Sequence, residues 1–332
     1  MQKIVSLFSL FCSFYLIFPQ ACPGAEDFSS EQSSSQAPHK KSLSKQLDLR
    51  ELYKQYSNTV VRVKYRQGDD FQITSGFFVS ENGHILTSVT GGSDFSVETA
   101  SGQCFSADKM GEDAITAICL LKANNGNTPV PFFSLMQREH WPVIGQELVS
   151  LSCKFGLNIA PQKGYITGFN HRCFNDEWPM TLVRSTLKMD GGDCGGAVID
   201  TKGQLQGMLL HAIESANESF FMPLCGLCKI FQDLLVFGRV RYCYVGLNTQ
   251  AVFDNKRNEL HLQVLKVNPA SPADKAGFKE GDILMKLNGN EVDSVESFKN
   301  FMFLSSPNDP CTVEVLRNDK TSVLTFYLGE RM

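Results

Sequence analysis

The chain contains 332 residues, of which 42% are hydrophobic and 20% are charged. Such a composition is typical of a globular protein, and the length suffices for about two domains. The formal net charge of −4, without a local cluster of lysine and arginine, argues against binding to the phosphate backbone of nucleic acids.

The first residues have the features of a targeting segment. Lys3 supplies a positive charge, and the apolar run Ile4–Phe18 is shorter than the about 20 residues that a membrane-spanning helix needs. We predict a signal peptide over residues 1–25, and hence an exported protein of the periplasm or cell envelope. Pro19–Cys22 also resembles a degenerate lipoprotein signal, in which Cys22 would carry a lipid anchor and make the only membrane contact. A retained membrane anchor is the third interpretation.

The next segments differ sharply in composition. Residues 26–47 are rich in serine, glutamine and lysine, which predicts a flexible linker. The leucines and aromatics of Leu47–Tyr56 recur at near-helical spacing and predict a short helix. After it, short runs rich in valine, isoleucine, phenylalanine and threonine, such as Thr59–Tyr65 and Leu182–Thr186, predict an all-β sandwich or barrel. Lys229–Val236 is predicted to be an apolar helix that leads into a second domain.

The most informative stretch is Gly192-Asp193-Cys194-Gly195-Gly196. It has the shape of the nucleophile turn of a trypsin-like protease, with a thiol in place of the hydroxyl. Glycines in such a turn allow backbone N–H groups to converge beside the nucleophile. We therefore predict an oxyanion hole formed by Gly192, Asp193 and Cys194, with Cys194 as the candidate nucleophile.

Several further segments resemble one family, the HtrA (Deg) serine proteases. The resemblance extends over about residues 55–330 and includes Ser75–Val79, Gly83–Thr87, Ile144–Leu151, Gly164–Gly168 and Phe221–Pro223. It implies a mainly β fold, in which a trypsin-like double β-barrel over residues 48–237 is followed by a single α+β PDZ domain over residues 238–332. It also implies a homo-trimer or a higher oligomer.

The chain departs from this family at all three positions of the catalytic triad. The position of the general-base histidine is Thr90, the position of the aspartate is Ala117, and the nucleophile position is Cys194. Without a general acid, a tetrahedral adduct on Cys194 would expel the thiolate and return to substrate. Loss of the base costs on the order of 10⁴ to 10⁶ in rate in such enzymes. The resemblance, with these three substitutions, therefore implies an inactive protease.

An active cysteine protease is the main alternative. The turn also fits the Gly-x-Cys-Gly-Gly pattern of the chymotrypsin-like cysteine proteases of picornaviruses, which keep a histidine base. His84 should lie about 10 Å too far back along its strand to serve as that base. Among the other histidines, His211, which follows the strand around Gly207–Leu209, is the best remaining candidate for the general base.

The C-terminal part carries a second candidate site. Within the resemblance, the segment formed by Tyr244, Val245, Gly246 and Leu247 fills the place of the carboxylate-binding loop of a PDZ domain. Such a loop offers backbone N–H groups to the terminal carboxylate of a peptide. Pro272 is expected to begin a helix that ends at Gly277. Val295–Leu304 is expected to form the groove helix, with Val295, Phe298, Met302 and Phe303 facing the peptide or the core.

No metal or cofactor is predicted. The single Cys225-x-x-Cys228 pair lacks the second pair or the nearby histidines of a zinc site, and core thiols or a local disulfide explain it better. The prediction is an exported HtrA-like pseudoprotease that binds unfolded polypeptides or C-terminal peptides. A chymotrypsin-fold endopeptidase that uses Cys194 and a non-catalytic envelope scaffold remain the alternatives.

Overall fold

A computed structural model describes residues 46–126, 128–136, 141–173, 176–254 and 259–331. The predicted signal peptide, the candidate lipid attachment site Cys22 and nearly all of the predicted linker 26–47 lie outside these residues. The described chain folds into two closed six-stranded barrels followed by a smaller α+β domain, as the sequence predicted. No helix in the described ranges is long and apolar enough to cross a membrane.

The first barrel is antiparallel, with the spatial order β1-β2-β3-β6-β5-β4. Alternate side chains such as Val61 and Val63 point inward and are fully buried, which is the period-2 pattern of a half-buried strand. The strands are β1 (Val60–Gln67), β2 (Asp70–Phe78), β3 (His84–Ser88), β4 (Ser93–Thr99), β5 (Cys104–Asp113) and β6 (Ile118–Ala123).

The second barrel has the order β10-β11-β12-β9-β8-β7 and carries the nucleophile turn. That turn lies between β9 and β10, and after it β10 pairs with β7. The strands are β7 (Glu147–Ser152), β8 (Ala160–Cys173), β9 (Asp176–Ser185), β10 (Ala197–Asp200), β11 (Leu205–Ile213) and β12 (Glu218–Pro223).

Two helices flank the barrels. Helix α1 (Leu49–Tyr56) begins at a capping box between Asp48 and Glu51, which confirms the predicted N-terminal helix. Helix α2 (Leu224–Phe237) starts five residues before the predicted Lys229, directly after β12, and buries Leu227 and Ile230 against the barrels. It ends at Gly238, whose φ of 69° is the left-handed conformation of a helix C-cap.

The C-terminal domain has a mixed arrangement of one sheet and two short helices. Its main sheet has the order β14-β15-β16-β18-β19, with β17 paired to β16, while β13 and β20 form a separate pair. Both predicted helices are present, as α3 (Pro272–Ala276) and α4 (Val295–Leu304). The strands are β13 (Cys243–Tyr244), β14 (Leu247–Asp254), β15 (Glu259–Val267), β16 (Ile283–Leu287), β17 (Asn290–Glu291), β18 (Pro310–Arg317), β19 (Lys320–Tyr327) and β20 (Gly329–Glu330).

Polar contacts join the segment between the domains to both of them. Lys229 and Asp233 form a buried ion pair at 2.6 Å on α2, and Asp233 also accepts a hydrogen bond from the amide of Arg241. The guanidinium of Arg241 in turn contacts Glu330 of β20 at 3.1 Å. Because a buried charge is costly without a partner, these contacts favour one path of the chain between the domains.

Candidate functional site

The thiol of Cys194 lies at the entrance to the second barrel. It packs against the apolar core of that barrel, and Sγ donates a hydrogen bond to the carbonyl oxygen of Leu210 at 3.3 Å. Burial raises the pKa of the Cys194 thiol, and the negative charge of Asp193 adds to the increase. The sulfur is therefore a protonated thiol near neutral pH, which is the weakly nucleophilic form.

Of the three N–H groups predicted to form the oxyanion hole, one is already hydrogen bonded within the turn. Gly192 has a φ of 93°, a conformation that glycine adopts without strain. The N–H of Asp193 donates to the carbonyl of Asp190 at 3.1 Å, so it is committed within the turn. The N–H groups of Gly192 and Cys194 have no acceptor in the part of the chain that the structure describes. The geometry thus narrows the predicted set Gly192, Asp193 and Cys194 to Gly192 and Cys194.

Asp193 acts through its carboxylate instead. The side chain is 1% exposed and accepts hydrogen bonds from the Ser152 hydroxyl at 2.7 Å and from the Asp190 amide at 2.9 Å. The ammonium of Lys154 approaches it to 4.0 Å. These contacts hold both ends of the turn in place. A residue pattern alone does not reveal this role, because Ser152 and Asp193 are 41 positions apart.

The first barrel also supports the turn. The Ser75 amide and the Thr74 hydroxyl both donate to the carbonyl of Cys194, at 3.0 and 2.6 Å. A Cβ atom on Gly195 would lie 2.1 Å from the carbonyl oxygen of Ser75, so only glycine fits there. The nucleophile turn is therefore packed directly against β2.

The predicted position of the general base, Thr90, lies in a short loop. Only Val89–Gly92 connects β3 to β4, and it contains no helical turn. The side chain of Thr90 is exposed, and the amide of Gly91 donates to the carboxylate of Glu112 at 2.9 Å. Nothing in this loop offers Cys194 a base.

An aromatic ring that the sequence analysis missed fills the adjoining space. The ring of Tyr65 stacks on Phe95 at 5.9 Å, and a Cβ atom on Gly92 would lie 2.7 Å from it. Burial raises the pKa of Tyr65, and the neighbouring Cys194 adds to the increase. Tyr65 is on β1, remote in sequence from every triad position, so no motif points to it.

The predicted aspartate position, Ala117, has an unusual backbone conformation. Ala117 has a φ of 55°, in the left-handed region that disfavours alanine. The nearby carboxylate of Asp113 is buried and accepts hydrogen bonds from the amide and hydroxyl of Thr116, at 2.9 and 2.6 Å, and from the Tyr242 hydroxyl at 2.7 Å. Asp113 therefore stabilises the loop and the link to the second domain.

The described histidines do not replace the base. Nδ1 of His84 hydrogen bonds to the Ser80 hydroxyl at 2.7 Å, and its ring packs against Phe231 of α2. His211 is exposed on β11, and the sulfur of Cys194 donates its hydrogen bond to the carbonyl of Leu210. His39, His140 and the side chain of His171 lie outside the described residues.

The predicted carboxylate-binding loop joins β13 to β14. The carbonyl of Val245 accepts the Ala273 amide at 3.0 Å, and that of Gly246 accepts the Asn268 amide at 2.8 Å. The N–H groups of Val245 and Gly246 have no acceptor among the described residues. Gly246 has a φ of 85°, and a Cβ there would lie 2.2 Å from the side chain of Ser271. The loop thus presents two amide donors and leaves no room for a larger residue.

Strand β14 begins at Leu247 and forms one edge of the main sheet. An edge strand has backbone groups to which an extended peptide can add as a further strand. Helix α4 lies alongside β14, so the loop, the edge strand and the helix enclose a groove. This arrangement suits a peptide whose terminal carboxylate binds the loop.

The described residues show no site that calls for a metal. Within the described ranges, no three histidine, cysteine, aspartate or glutamate side chains are grouped to hold a metal ion. Cys225 and Cys228 are free thiols on α2, and Sγ of Cys228 donates to the carbonyl of Leu135 at 2.9 Å. Burial raises the pKa of each of these thiols to about 12. Both are therefore protonated thiols of the core.

Comparisons with known proteins agree with this architecture. The profile of the trypsin-like peptidase domain matches residues 74–208, and that of the PDZ domain matches residues 250–328. The serine endoprotease DegS of Haemophilus influenzae is 24% identical over 289 residues, which cover 83% of each chain. A probable periplasmic serine endoprotease of the DegP type from Chlamydia pneumoniae is 26% identical over 259 residues, or 74% of this chain and 52% of that protein. The chain thus spans about half the length of the DegP-like relatives.

Solved structures show the same fold. The HtrA-type protease AlgW, determined with a tripeptide, superimposes with a TM-score of 0.73 at 19% identity, covering 86% of this chain and 98% of that one. The serine endoprotease from Yersinia pestis superimposes with a TM-score of 0.63 at 23% identity and the same coverage. Both barrels and the C-terminal domain are therefore arranged as in known proteins.

Proposed function

We propose that this chain, which belongs to the HtrA family of trypsin-like and PDZ proteins, is an exported pseudoprotease that binds polypeptides without cleaving them. Its ligands would be unfolded segments or the C-terminal ends of other chains. The proposed roles are quality control, chaperoning or the regulation of an active relative. Relatives that are named periplasmic endoproteases support the proposal of export.

The observation that carries the proposal is the surroundings of Cys194. Its sulfur bonds to a backbone carbonyl, the base position is the exposed Thr90, and the aspartate position is Ala117. Cleavage of an amide needs a group that donates a proton to the departing nitrogen. Because the triad positions supply none, attack by Cys194 would be reversed rather than completed.

The preserved groove of the C-terminal domain supports the binding half of the proposal. The amides of Val245 and Gly246 are available to a carboxylate, and the edge of β14 is available to a peptide backbone. Both are features of recognition by strand addition and terminal-carboxylate capture. A protein that served only as a scaffold would have no need of either.

Digestion of unfolded casein tests the absence of cleavage. The purified protein is incubated with casein under reducing conditions, with Cys194→Ala as the matched control. We expect intact casein in both samples. Cleavage that disappears in the variant would establish the cysteine endopeptidase instead.

Calorimetry with peptides tests the binding. A peptide with a free C-terminal carboxylate is compared with the same peptide carrying a C-terminal amide, and only the free acid should release heat. This comparison is better than a substitution of Gly246, which would collide with Ser271 and disturb the fold. Equal or absent heats for the two peptides would favour the scaffold.

An exposed apolar surface supports the proposal of a homo-oligomer. Phe71 and Ile73 of β2 and Phe155 and Leu157 of the loop after β7 are 51%, 40%, 69% and 65% exposed. A Cβ atom on Gly156 would lie 3.0 Å from the side chain of Ile73, so the loop after β7 and strand β2 are neighbours on this surface. Such patches on soluble proteins mark interaction sites. Light scattering should give the mass of a trimer or larger assembly, and Phe155→Ser should lower it.

A further inference from the structure

The inner end of the groove is a closed apolar space beneath the carboxylate-binding loop. Val245 and Leu247 line it from the loop and β14, and Phe298 and Met302 line it from α4. The remaining lining comes from side chains of the domain core, and none of the lining residues is polar. The space has no room for a water molecule. A ligand side chain that enters here must therefore displace a protein side chain.

The helix that walls this space is held from its opposite face. The carboxamide oxygen of Asn300 accepts a hydrogen bond from the amide of Thr181 on β9, at 2.7 Å. Phe303 is 3% exposed and packs with the core of the barrels, where its ring lies 5.9 Å from that of Tyr242. Of the two predicted surroundings, peptide or core, Phe303 therefore has the core. The barrels therefore prevent α4 from moving outward without breaking these contacts.

Because α4 is held in place, the space can open only if a side chain that lines it changes its rotamer. Met302 is partly buried and unbranched, and methionine changes rotamer readily in a core. Phe298 is a rigid ring that has two rotatable bonds and is also partly buried. Rotation of Met302 would free a volume of the order of a few methyl groups. Room for an aromatic ring would require α4 to shift.

We infer that the groove selects polypeptides whose last residue is small and apolar, such as alanine or valine, and that Met302 sets this size limit. The terminal carboxylate would accept hydrogen bonds from the amides of Val245 and Gly246, while the last side chain would take the place vacated by Met302. Because α4 is held against β9, the helix does not move outward to admit a larger side chain. This inference rests on the proposed function, since it specifies the ligand of the same groove.

The test compares peptides that differ only in their last residue. Calorimetry on the purified protein uses one sequence ending in alanine, valine, leucine or phenylalanine, each as the free acid and as the amide. We expect the alanine and valine acids to bind about tenfold or more tightly than the phenylalanine acid, since a steric mismatch in an apolar pocket has effects of this order. The amides should bind far more weakly than their acids.

Two variants separate the size limit from general damage. Met302→Ala should raise the affinity for the leucine and phenylalanine acids about tenfold and leave that for the alanine acid similar or weaker. Met110→Ala on β5, far from the groove in the first barrel, is the matched control and should change none of the affinities. Asn300→Ala, which removes the hydrogen bond between α4 and Thr181, should also raise the affinity for the phenylalanine acid.

The outcomes distinguish this inference from the proposed function. A preference for the leucine or phenylalanine acid in the unmodified protein would overturn the size limit while leaving peptide capture intact. Unchanged selectivity in a folded Met302→Ala variant would overturn the role of Met302. No heat from any free acid would overturn both the inference and the proposed binding function.

Discussion

The hydroxyl of Ser75 on β2 donates a 2.7 Å hydrogen bond to the carbonyl oxygen of Gly192, and so joins the first barrel to the nucleophile turn of the second. The hydroxyl oxygen of Ser75 also accepts a hydrogen bond from the amide of Cys153, at 2.8 Å. Ser75 is fully buried, so water does not compete for these bonds. The turn is thus held by a residue outside the triad. These bonds hold the turn without a contribution from Thr90 or Ala117.

Replacement of Ser75 tests this support. Ser75→Ala leaves the Gly192 carbonyl and the Cys153 amide without this partner, and we expect a loss of about 1–3 kcal/mol in the free energy of unfolding. Ser150→Ala is the matched control, because the Ser150 hydroxyl is buried without a hydrogen-bond partner in the structure. The free energy of unfolding of Ser150→Ala should be unchanged or higher than that of the unmodified protein. Urea unfolding measures both, and equal losses would show that Ser75 has no special role.

The backbone at Ala117 predicts a stabilising substitution. Its φ of 55° is tolerated better by asparagine than by alanine. We expect Ala117→Asn to raise the free energy of unfolding by about 1 kcal/mol. The exposed Ala100, which is not among the residues with positive φ, serves as the control. A gain of the same size in Ala100→Asn would contradict the explanation.

The reactivity of Cys194 should depend on pH in a distinctive way. Because burial raises the pKa of its thiol, less thiolate is present at pH 7.5, and alkylation by iodoacetamide should be about tenfold or more slower than that of the exposed Cys104. The rate at Cys194 should still increase between pH 9 and pH 10. Mass spectrometry of the digested protein measures both sites.

Unfolding provides the control for this measurement. In concentrated urea the two cysteines should react at similar rates, because burial no longer acts on Cys194. Faster alkylation of Cys194 than of Cys104 in the folded protein would indicate an activated thiolate. It would support the alternative that the protein is a cysteine endopeptidase.

Restoring the triad residues should not restore proteolysis. Thr90→His combined with Ala117→Asp and Cys194→Ser supplies all three side chains. The short loop Val89–Gly92 is nevertheless anchored by Glu112 and lined by Tyr65, which leaves little space to orient an imidazole. We expect no cleavage of casein above background. Digestion of casein by this triple variant would show that the three altered side chains, and not the short loop, account for the absence of proteolysis.

Much of the fold was predictable because its signals are local. The capping residues of α1, the helix bounded by Pro272 and Gly277, and the span of α4 all agree with the sequence analysis. The start of α2 was predicted too late, since Leu224–Cys228 directly continues an apolar strand and contains a glycine. The loop Val89–Gly92 contains no helical turn, and its two glycines lead straight into β4.

The sequence by itself determined the two-domain architecture, and it led to the predictions of three altered triad positions and of a carboxylate-binding loop. These follow from strand alternation, glycine-rich turns and short motifs, which are properties of neighbouring residues. Tertiary structure alone decided that Asp193 acts through its carboxylate, that Tyr65 lies beside Cys194, and that Phe303 fastens α4 to the barrels. Each of these depends on contacts between residues far apart in the chain, where only packing in three dimensions selects the partner.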